Sequence, residues 1–262
     1  MTTNGSLVGK TALITGGGRG IGAAIAATLA ADGAHVMVAA RSADQVEAVA
    51  GELRGRGLRA NATVCDVADP DSVEAMAETA GQHLGIVDIL VNNAGIARSA
   101  PLHHLTLQEW RRIIDINVTG TFLCTKAFAP AMGQRGWGRV INIGSVLSRT
   151  GAKYVSAYAA SKHAMLGFTR CIAAEMANRG VTVNAICPGY VDTEMVTNAV
   201  ENIVNKTGIS HDEANASILQ STPQQRLIDP DEVAQLALFL CQEAGRGING
   251  QDLGIDGGEF MG

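Results

Sequence analysis

The sequence predicts a single α/β domain: a doubly wound parallel sheet of seven strands with helices on both faces. Three observations lead there. Short apolar runs alternate with helical stretches along nearly the whole chain, a rhythm that implies right-handed crossovers between parallel strands. The first run ends in a glycine-rich turn, TALITGGGRGIG at residues 11–22, that opens directly into a helix. No Pro/Ser-rich linker, charge block or low-complexity tract divides the 262 residues, so residues 1–262 read as one domain, long enough to bury about three quarters of the unfolded surface.

Strand, turn and helix N-terminus together suit a pyrophosphate, because close backbone approach and free N–H groups meet there, and this gives the domain a Rossmann-like start. The pattern G-x-G-x-x-G is not met, since its last place is Ile21; what is met is T-G-x-x-x-G-x-G at Thr15, Gly16, Gly20 and Gly22. A helix over residues 21–31 leads to a buried strand over residues 35–40. The end of that strand is where a carboxylate would hold an adenosine ribose, about 20 residues beyond the glycines. Ala40 stands there instead, followed by Arg41 and Ser42. With no acid to repel a 2′-phosphate and with Arg19 and Arg41 nearby, NADP(H) is favoured over NAD(H); an ordinary solvated arginine is the competing reading of Arg41. Ser42 and Gln45 have the spacing of a capping box.

A third strand covers residues 60–67, and Asp69-Pro70 starts the next helix as N-cap and first-turn proline. Asp66, at the ligand-facing end of that strand, could accept a hydrogen bond from an adenine amine. The apolar run of residues 86–95 stops at Asn92, Asn93 and Gly95, residues that suit a turn and also fall on the ligand-facing edge. Residues 139–144, 181–187 and 251–256 supply three further strands. Two helices, residues 115–132 and 156–179, are apolar nearly all round. A helix outside a monomeric sheet should show a polar stripe, so these are expected to bury a second face in a symmetric oligomer. From residue 192 to 223 the strand rhythm lapses into a polar, partly amphipathic stretch expected to be a lid or binding loop. Asp229-Pro230-Asp231 opens the last helix.

Composition excludes other classes. Net charge is −5 with signs interspersed, leaving no footprint for nucleic acid or an anionic membrane. Apolar residues make up 47%, against a disordered or fibrous chain. The first ten residues lack the apolar core of a signal peptide, and no run reaches the roughly 18 apolar residues of a membrane span. The five cysteines are far apart and read as reduced packing residues of a cytoplasmic protein. The six histidines show no metal-ligand spacing, so no metal is expected.

Tyr158 and Lys162 are four apart on a predicted helix and share one face; Ser145 ends the preceding strand at the ligand edge. Ketone reduction needs a hydride donor, a proton donor and a group that polarises the carbonyl oxygen, and these residues could meet the last two needs. A tyrosine of pKa about 10 must move two or three units to work near neutrality, roughly 3–4 kcal/mol. An ammonium 4 Å away supplies about 1 kcal/mol in water and about 4 at an effective dielectric of 20, so the pair suffices only in a partly dry site. Tyr154 has no lysine four residues on and is expected to line the substrate mouth.

Thr15-Gly-x-x-x-Gly-x-Gly22, Asn92-Asn-Ala-Gly95, Asn117, Ser145, Tyr158-x-x-x-Lys162 and Pro188-Gly189 occur in an order and spacing that resemble the short-chain dehydrogenase/reductase family, over essentially the whole chain. The resemblance implies Tyr158 as general acid in reduction and base in oxidation, and Ser145 as hydrogen-bond donor to the carbonyl or alkoxide. It implies that Lys162 depresses the tyrosine pKa and binds the nicotinamide ribose, and that Asn117 holds a relay water. The implied cofactor-binding set is Thr15, Gly16, Gly18, Arg19, Gly20, Ile21, Gly22, Arg41, Ser42, Asp66, Val67, Asn93, Ala94, Gly95, Tyr158, Lys162, Pro188, Gly189, Val191 and Thr193. The chain looks like the branch of 3-oxoacyl carrier-protein reductases and polyketide ketoreductases, which implies NADP(H), a ketone or thioester-bound substrate and a tetramer. Arg135 and Arg179 could meet a carrier's acidic surface or be plain solvated arginines. Competing readings are an NAD(H)-linked dehydrogenase for a hydroxybutyrate or cyclic alcohol, and a non-catalytic dinucleotide-binding sensor.

Overall fold

Seven strands, all paired in parallel, form one sheet in the order β3-β2-β1-β4-β5-β6-β7. The computed structural model describes residues 5–261; the start of the segment read for a signal peptide, residues 1–4, lies outside them. The strands are β1 (Thr11–Thr15), β2 (His35–Ala40), β3 (Ala60–Val64), β4 (Ile89–Asn92), β5 (Gly138–Ile143), β6 (Val181–Pro188) and β7 (Asp252–Ile255). The helices are α1 (Gly20–Ala31), α2 (Ala43–Gly55), α3 (Pro70–Leu84), α4 (Leu107–Ile114), α5 (Gly120–Arg135), α6 (Ser156–Met176), α7 (Glu194–Thr207), α8 (His211–Leu219) and α9 (Pro230–Cys241).

Period-2 alternation sends side chains to two cores. Ile14, Val38, Ile89 and Ile186 meet Ile25, Leu29, Val233 and Leu240 of α1 and α9 on one face. Leu13, Met37, Leu90 and Val140 meet Met76, Cys124, Met132 and Met176 of α3, α5 and α6 on the other. Coverage on both sides is why these strands read as continuous apolar runs. Strand order reverses between β1 and β4, and the crevice at the carboxyl ends of such a pair is where open α/β sheets bind ligands.

Several expected boundaries change. β3 stops at Val64 and not at residue 67, because the Asp66 amide leaves the sheet for the Ser72 hydroxyl at 3.0 Å. The expected helix over residues 115–132 begins as a π-turn, Asp115–Thr119, before α5. Gly120 closes that turn against Val67, whose Cγ2 would lie 2.7 Å from any added Cβ. The expected helix over residues 156–179 ends as α6 at Met176, followed by a 3₁₀ turn, Ala177–Arg179. The Ser42–Gln45 capping box does not form: Ser42 makes no side-chain capping bond, and Gln45 packs against Gly18. Cys171 is exposed on α6, unlike the other four cysteines, which are buried.

Residues 192–223 are mostly a helical pair, not a loop. Val200 of α7 packs on Ala214 and Ile218 of α8, with Val196, Ile203, Val204 and Leu227 around them, a small core separate from the sheet. The outer faces of α5 and α6 leave Phe122, Ala164, Gly167 and Cys171 exposed, with Phe122 edge-on to Phe168 at 6.3 Å. Among the described residues no helix is long and apolar enough to cross a membrane, and no group of three or more His, Cys, Asp or Glu could hold a metal ion.

Asp69 and Asp229 cap α3 and α9, each followed by a first-turn proline. Asp229 also exchanges bonds with Glu232: its carboxylate accepts from the Asp231 amide at 2.8 Å, and the Glu232 carboxylate accepts from the Asp229 amide at 2.8 Å. Asp229→Ala is expected to lower unfolding stability by about 1 kcal/mol, read as a shift of the denaturant midpoint at constant slope.

Candidate active site

The glycine turn is built around two close approaches. Gly16 has φ +64°, and a Cβ there would lie 2.8 Å from the Asn93 side-chain nitrogen. A Cβ on Gly22 would lie 2.4 Å from the Gly16 carbonyl oxygen. Asn93 pins the turn by donating to the carbonyls of Thr15 and Gly16, both at 3.0 Å. The Thr15 hydroxyl is engaged with protein: it donates to the Val91 carbonyl and accepts from the amides of Asn93 and Ala94. Thr15 therefore joins β1 to β4 across the crevice. The N-cap of α1 is Arg19, whose side chain makes no capping bond, and the first turn, with Gly20 and Ile21, carries no acid. Uncapped N–H groups at a positive helix end, above a floor where no side chain fits, suit the pyrophosphate of a dinucleotide.

At the adenosine side Arg41 and Ser42 are exposed at the end of β2, and the Ser42 hydroxyl is free because it does not cap α2. Asp66 accepts from the Ala68 amide through Oδ1 at 3.1 Å, which leaves Oδ2 for a ligand. Val67 is buried against Gly120. Arg19 forms an ion pair with Glu194 in the first turn of α7. Pro188 and Gly189 end β6, Val191 bridges to Ile228, and Thr193 is the N-cap of α7 with its hydroxyl turned to the Val191 carbonyl.

On the opposite side of the crevice, Ser145 caps a short turn after β5, accepting from the Leu147 amide at 3.1 Å while its own amide donates to the Ser148 hydroxyl. Tyr158 and Lys162 lie one turn apart on α6, with Nζ 5.6 Å from the centre of the phenol ring. Lys162 is 4% exposed and donates to the Ile143 carbonyl at 2.7 Å. Asn117 is fully buried: its amide donates to the Ile96 carbonyl and the Ser161 hydroxyl and accepts from the Ile96 amide, each at 2.9 Å. The side chain of Asn117, the residue expected to hold a relay water, is thus bonded to protein on both sides. Gly95 lies against both groups, 3.3 Å from Asn117 Oδ1 and 3.7 Å from Lys162 Nζ when measured from an added Cβ.

Burial pushes the Tyr158 hydroxyl up to about 12, and the neighbouring Ser145 side chain offsets only part of that rise. Burial also pulls the Lys162 ammonium down to about 8. In both groups desolvation is the largest cause of the shift, because burial penalises the charged form.

Two contributors escaped the sequence reading, and a third, Tyr154, expected at the substrate mouth, has a further structural role. Ser161 links Asn117 to the Tyr158 carbonyl, to which it donates at 2.7 Å. Ser148 orients Ser145. Tyr154, half-exposed and held at φ +70°, accepts from the Ala100 amide at 2.7 Å and ties together the loops after β4 and β5. Ser148 and Ser161 carry no sequence signal beyond lying within three residues of Ser145 and Tyr158.

The family model described as short chain dehydrogenase matches residues 10–204. A D-beta-hydroxybutyrate dehydrogenase of Cupriavidus necator is 41% identical over 96% of this chain and 98% of its own length. A 3-oxoacyl-(acyl-carrier-protein) reductase of Escherichia coli K12 is 40% identical over 97% and 98%. The crystal structure of an actinorhodin polyketide ketoreductase with NADPH superposes with a TM-score of 0.92 at 35% identity, covering 95% of this chain and 97% of that one.

The Lys162 shift fixes a pH dependence. A lysine ordinarily titrates at 10.5 and this one at about 8. Between those values the unfolded chain keeps a proton that the folded chain has released, so rising pH stabilises the fold; below about 8 the fold bears the whole cost of a buried cation, about 3 kcal/mol. The stability advantage of Lys162→Met over wild type is expected to shrink by up to that amount from pH 8 to 10.5, measured by denaturant unfolding without cofactor. A difference independent of pH would contradict it.

Proposed function

The chain belongs to the short-chain dehydrogenase family, and on that premise we propose that it uses NADP(H) to reduce a ketone, a 3-oxoacyl thioester or close analogue, to a secondary alcohol. The observation that carries the reading is Tyr158 beside Ser145 with Lys162 one turn on, its Nζ 5.6 Å from the phenol ring centre, next to a phosphate cradle. The dinucleotide, when bound, supplies the hydride. Gly16, Gly18, Gly20, Ile21 and Gly22 hold its pyrophosphate; Arg19, Arg41 and Ser42 receive the 2′-phosphate. Asp66, Val67, Asn93, Ala94 and Gly95 line the adenosine side, and Pro188, Gly189, Val191 and Thr193 the nicotinamide end.

Tyr158 gives its proton to the carbonyl oxygen as that oxygen becomes an alkoxide, while Ser145 donates a hydrogen bond to the same atom. A phenol held at about 12 stays protonated at neutral pH, the form this step consumes, and a nascent alkoxide is the stronger base. Lys162 keeps donors beyond the one given to Ile143, and these bind the nicotinamide ribose and steady the phenolate left behind. Asn117 and Ser161 hold α6 in register. The helical pair of residues 192–223 acts as the lid that excludes water. The apolar faces of α5 and α6 associate with further copies of the chain, giving a tetramer; a monomer in sedimentation at micromolar concentration would overturn this.

The hydroxybutyrate dehydrogenase relative favours one other reading, NAD(H)-linked oxidation of a hydroxy acid. Purified protein is expected to oxidise NADPH faster than NADH with an acetoacetyl thioester; equal rates refute the cofactor assignment. Tyr158→Phe is expected to lower kcat by about 10²–10⁴-fold with NADPH binding retained. Unchanged turnover would point instead to a protein that only binds dinucleotide.

A further inference from the structure

We propose that Glu194 sets how strongly the site prefers a phosphorylated dinucleotide, because its carboxylate holds the guanidinium of Arg19 that a 2′-phosphate must take. This rests on the NADP(H) reading above.

Two adjacent residues seat the start of α7 on the glycine turn. Thr193 Cγ2 would lie 3.0 Å from a Cβ on Gly20, and Glu194 pairs with Arg19. Arg19 is the N-cap of α1 in extended backbone, φ −169° and ψ 173°, so its side chain leaves the turn at the edge of the cradle. Arg41, the other cation at this edge, has no ion pair among the described residues. The acid that commonly discriminates against a 2′-phosphate stands at the end of the second strand, where this chain has Ala40. Glu194 brings a carboxylate to Arg19 from a different element.

Its effect is graded, not prohibitive. Both side chains are more than half exposed, at 58% and 59%, and such pairs are weak and exchangeable. A 2′-phosphate binds by displacing Glu194 or by sharing the five donors of the guanidinium with it, at the cost of placing two anions side by side. An unphosphorylated ribose meets neither condition, so the pair persists and the carboxylate is neutral to binding.

Kd values for NADPH and NADH, titrated by nicotinamide fluorescence on wild type, Glu194→Gln, Arg19→Gln and the double variant, test this. Glu194→Gln is expected to tighten NADPH about two- to fivefold and to leave NADH unchanged. Arg19→Gln is expected to weaken NADPH, and in that background Glu194→Gln should tighten NADPH less than it does in wild type, only the direct repulsion between carboxylate and phosphate remaining. Equal shifts for both cofactors would assign Glu194 a structural role and overturn the inference. No shift from Glu194→Gln, with Arg19→Gln still weakening NADPH, overturns it while leaving the NADP(H) reading standing. NADPH binding unaffected by Arg19→Gln removes the premise at Arg19 and the inference with it.

Discussion

The arrangement of the site depends on keeping an ammonium inside the protein. Lys162 is 4% exposed and its one protein acceptor among the described residues is the Ile143 carbonyl. Desolvating a cation is expensive unless hydrogen bonds replace its water, so the end of β5 must stop where its last carbonyl can face α6. The chain achieves this by sending the next amide, that of Gly144, to the Ile186 carbonyl of β6 at 2.7 Å. Gly95 then brings bare backbone against the amine. The downward shift of Lys162 shows that one carbonyl is incomplete compensation, and the ribose hydroxyls of a dinucleotide have the chemistry to complete it.

That constraint requires α6 to be fixed in rotation as well as in position, since a slip would aim Tyr158 and Lys162 into the sheet. A buried ladder of side-chain amides and hydroxyls does this below the site. Asn92 and Asn142, paired in register on β4 and β5, are joined at 2.8 Å. Asn92 also donates to Thr125 of α5, and Asn142 to Thr169 of α6. Buried hydrogen bonds are directional where apolar packing is not, so this ladder specifies which face of each helix meets the sheet. Asn117 repeats the device beside Gly95, at a π-turn from which its side chain bonds to both Ile96 and Ser161.

These features mark the boundary of what the sequence made legible. The strand rhythm and the glycine spacing are local patterns, and the parallel sheet with helices on both faces and the cradle follow from them. Tyr158 and Lys162 share a helix face by arithmetic of the helical repeat. The π-turn was hidden because its cause, the fit of Gly120 against Val67, is a contact between distant segments. Ser42 and Gln45 have the spacing of a capping box, yet Gln45 is drawn to Gly18 by tertiary packing that local propensity does not contain. The stretch after β6, expected as a lid or binding loop, carries an apolar stripe at Val196, Val200, Ile203 and Val204 that serves a small core of its own and not the sheet, so it lies outside the strand rhythm. The direction of the Tyr158 shift is set by burial, a quantity that a sequence does not display.

Two energy scales therefore divide the crevice. At its rim, Arg19, Arg41 and Glu194 interact through exposed charges, each contact worth about 1 kcal/mol or less and weakened by salt. At its floor, Lys162 and Tyr158 are shifted by burial, and shifts of that size are worth several kcal/mol. Selectivity among dinucleotides differing by one phosphate needs only the smaller scale, and there single substitutions can adjust it without disturbing the fold. Proton transfer to a carbonyl oxygen needs the larger one, because a proton donor in water is already served by solvent and gains its advantage from a site that holds charge poorly until a ligand supplies the missing partners. The separation places adaptable residues on loop ends and helix starts and unadaptable ones where β5 meets α6, which is also where the buried amide ladder is densest.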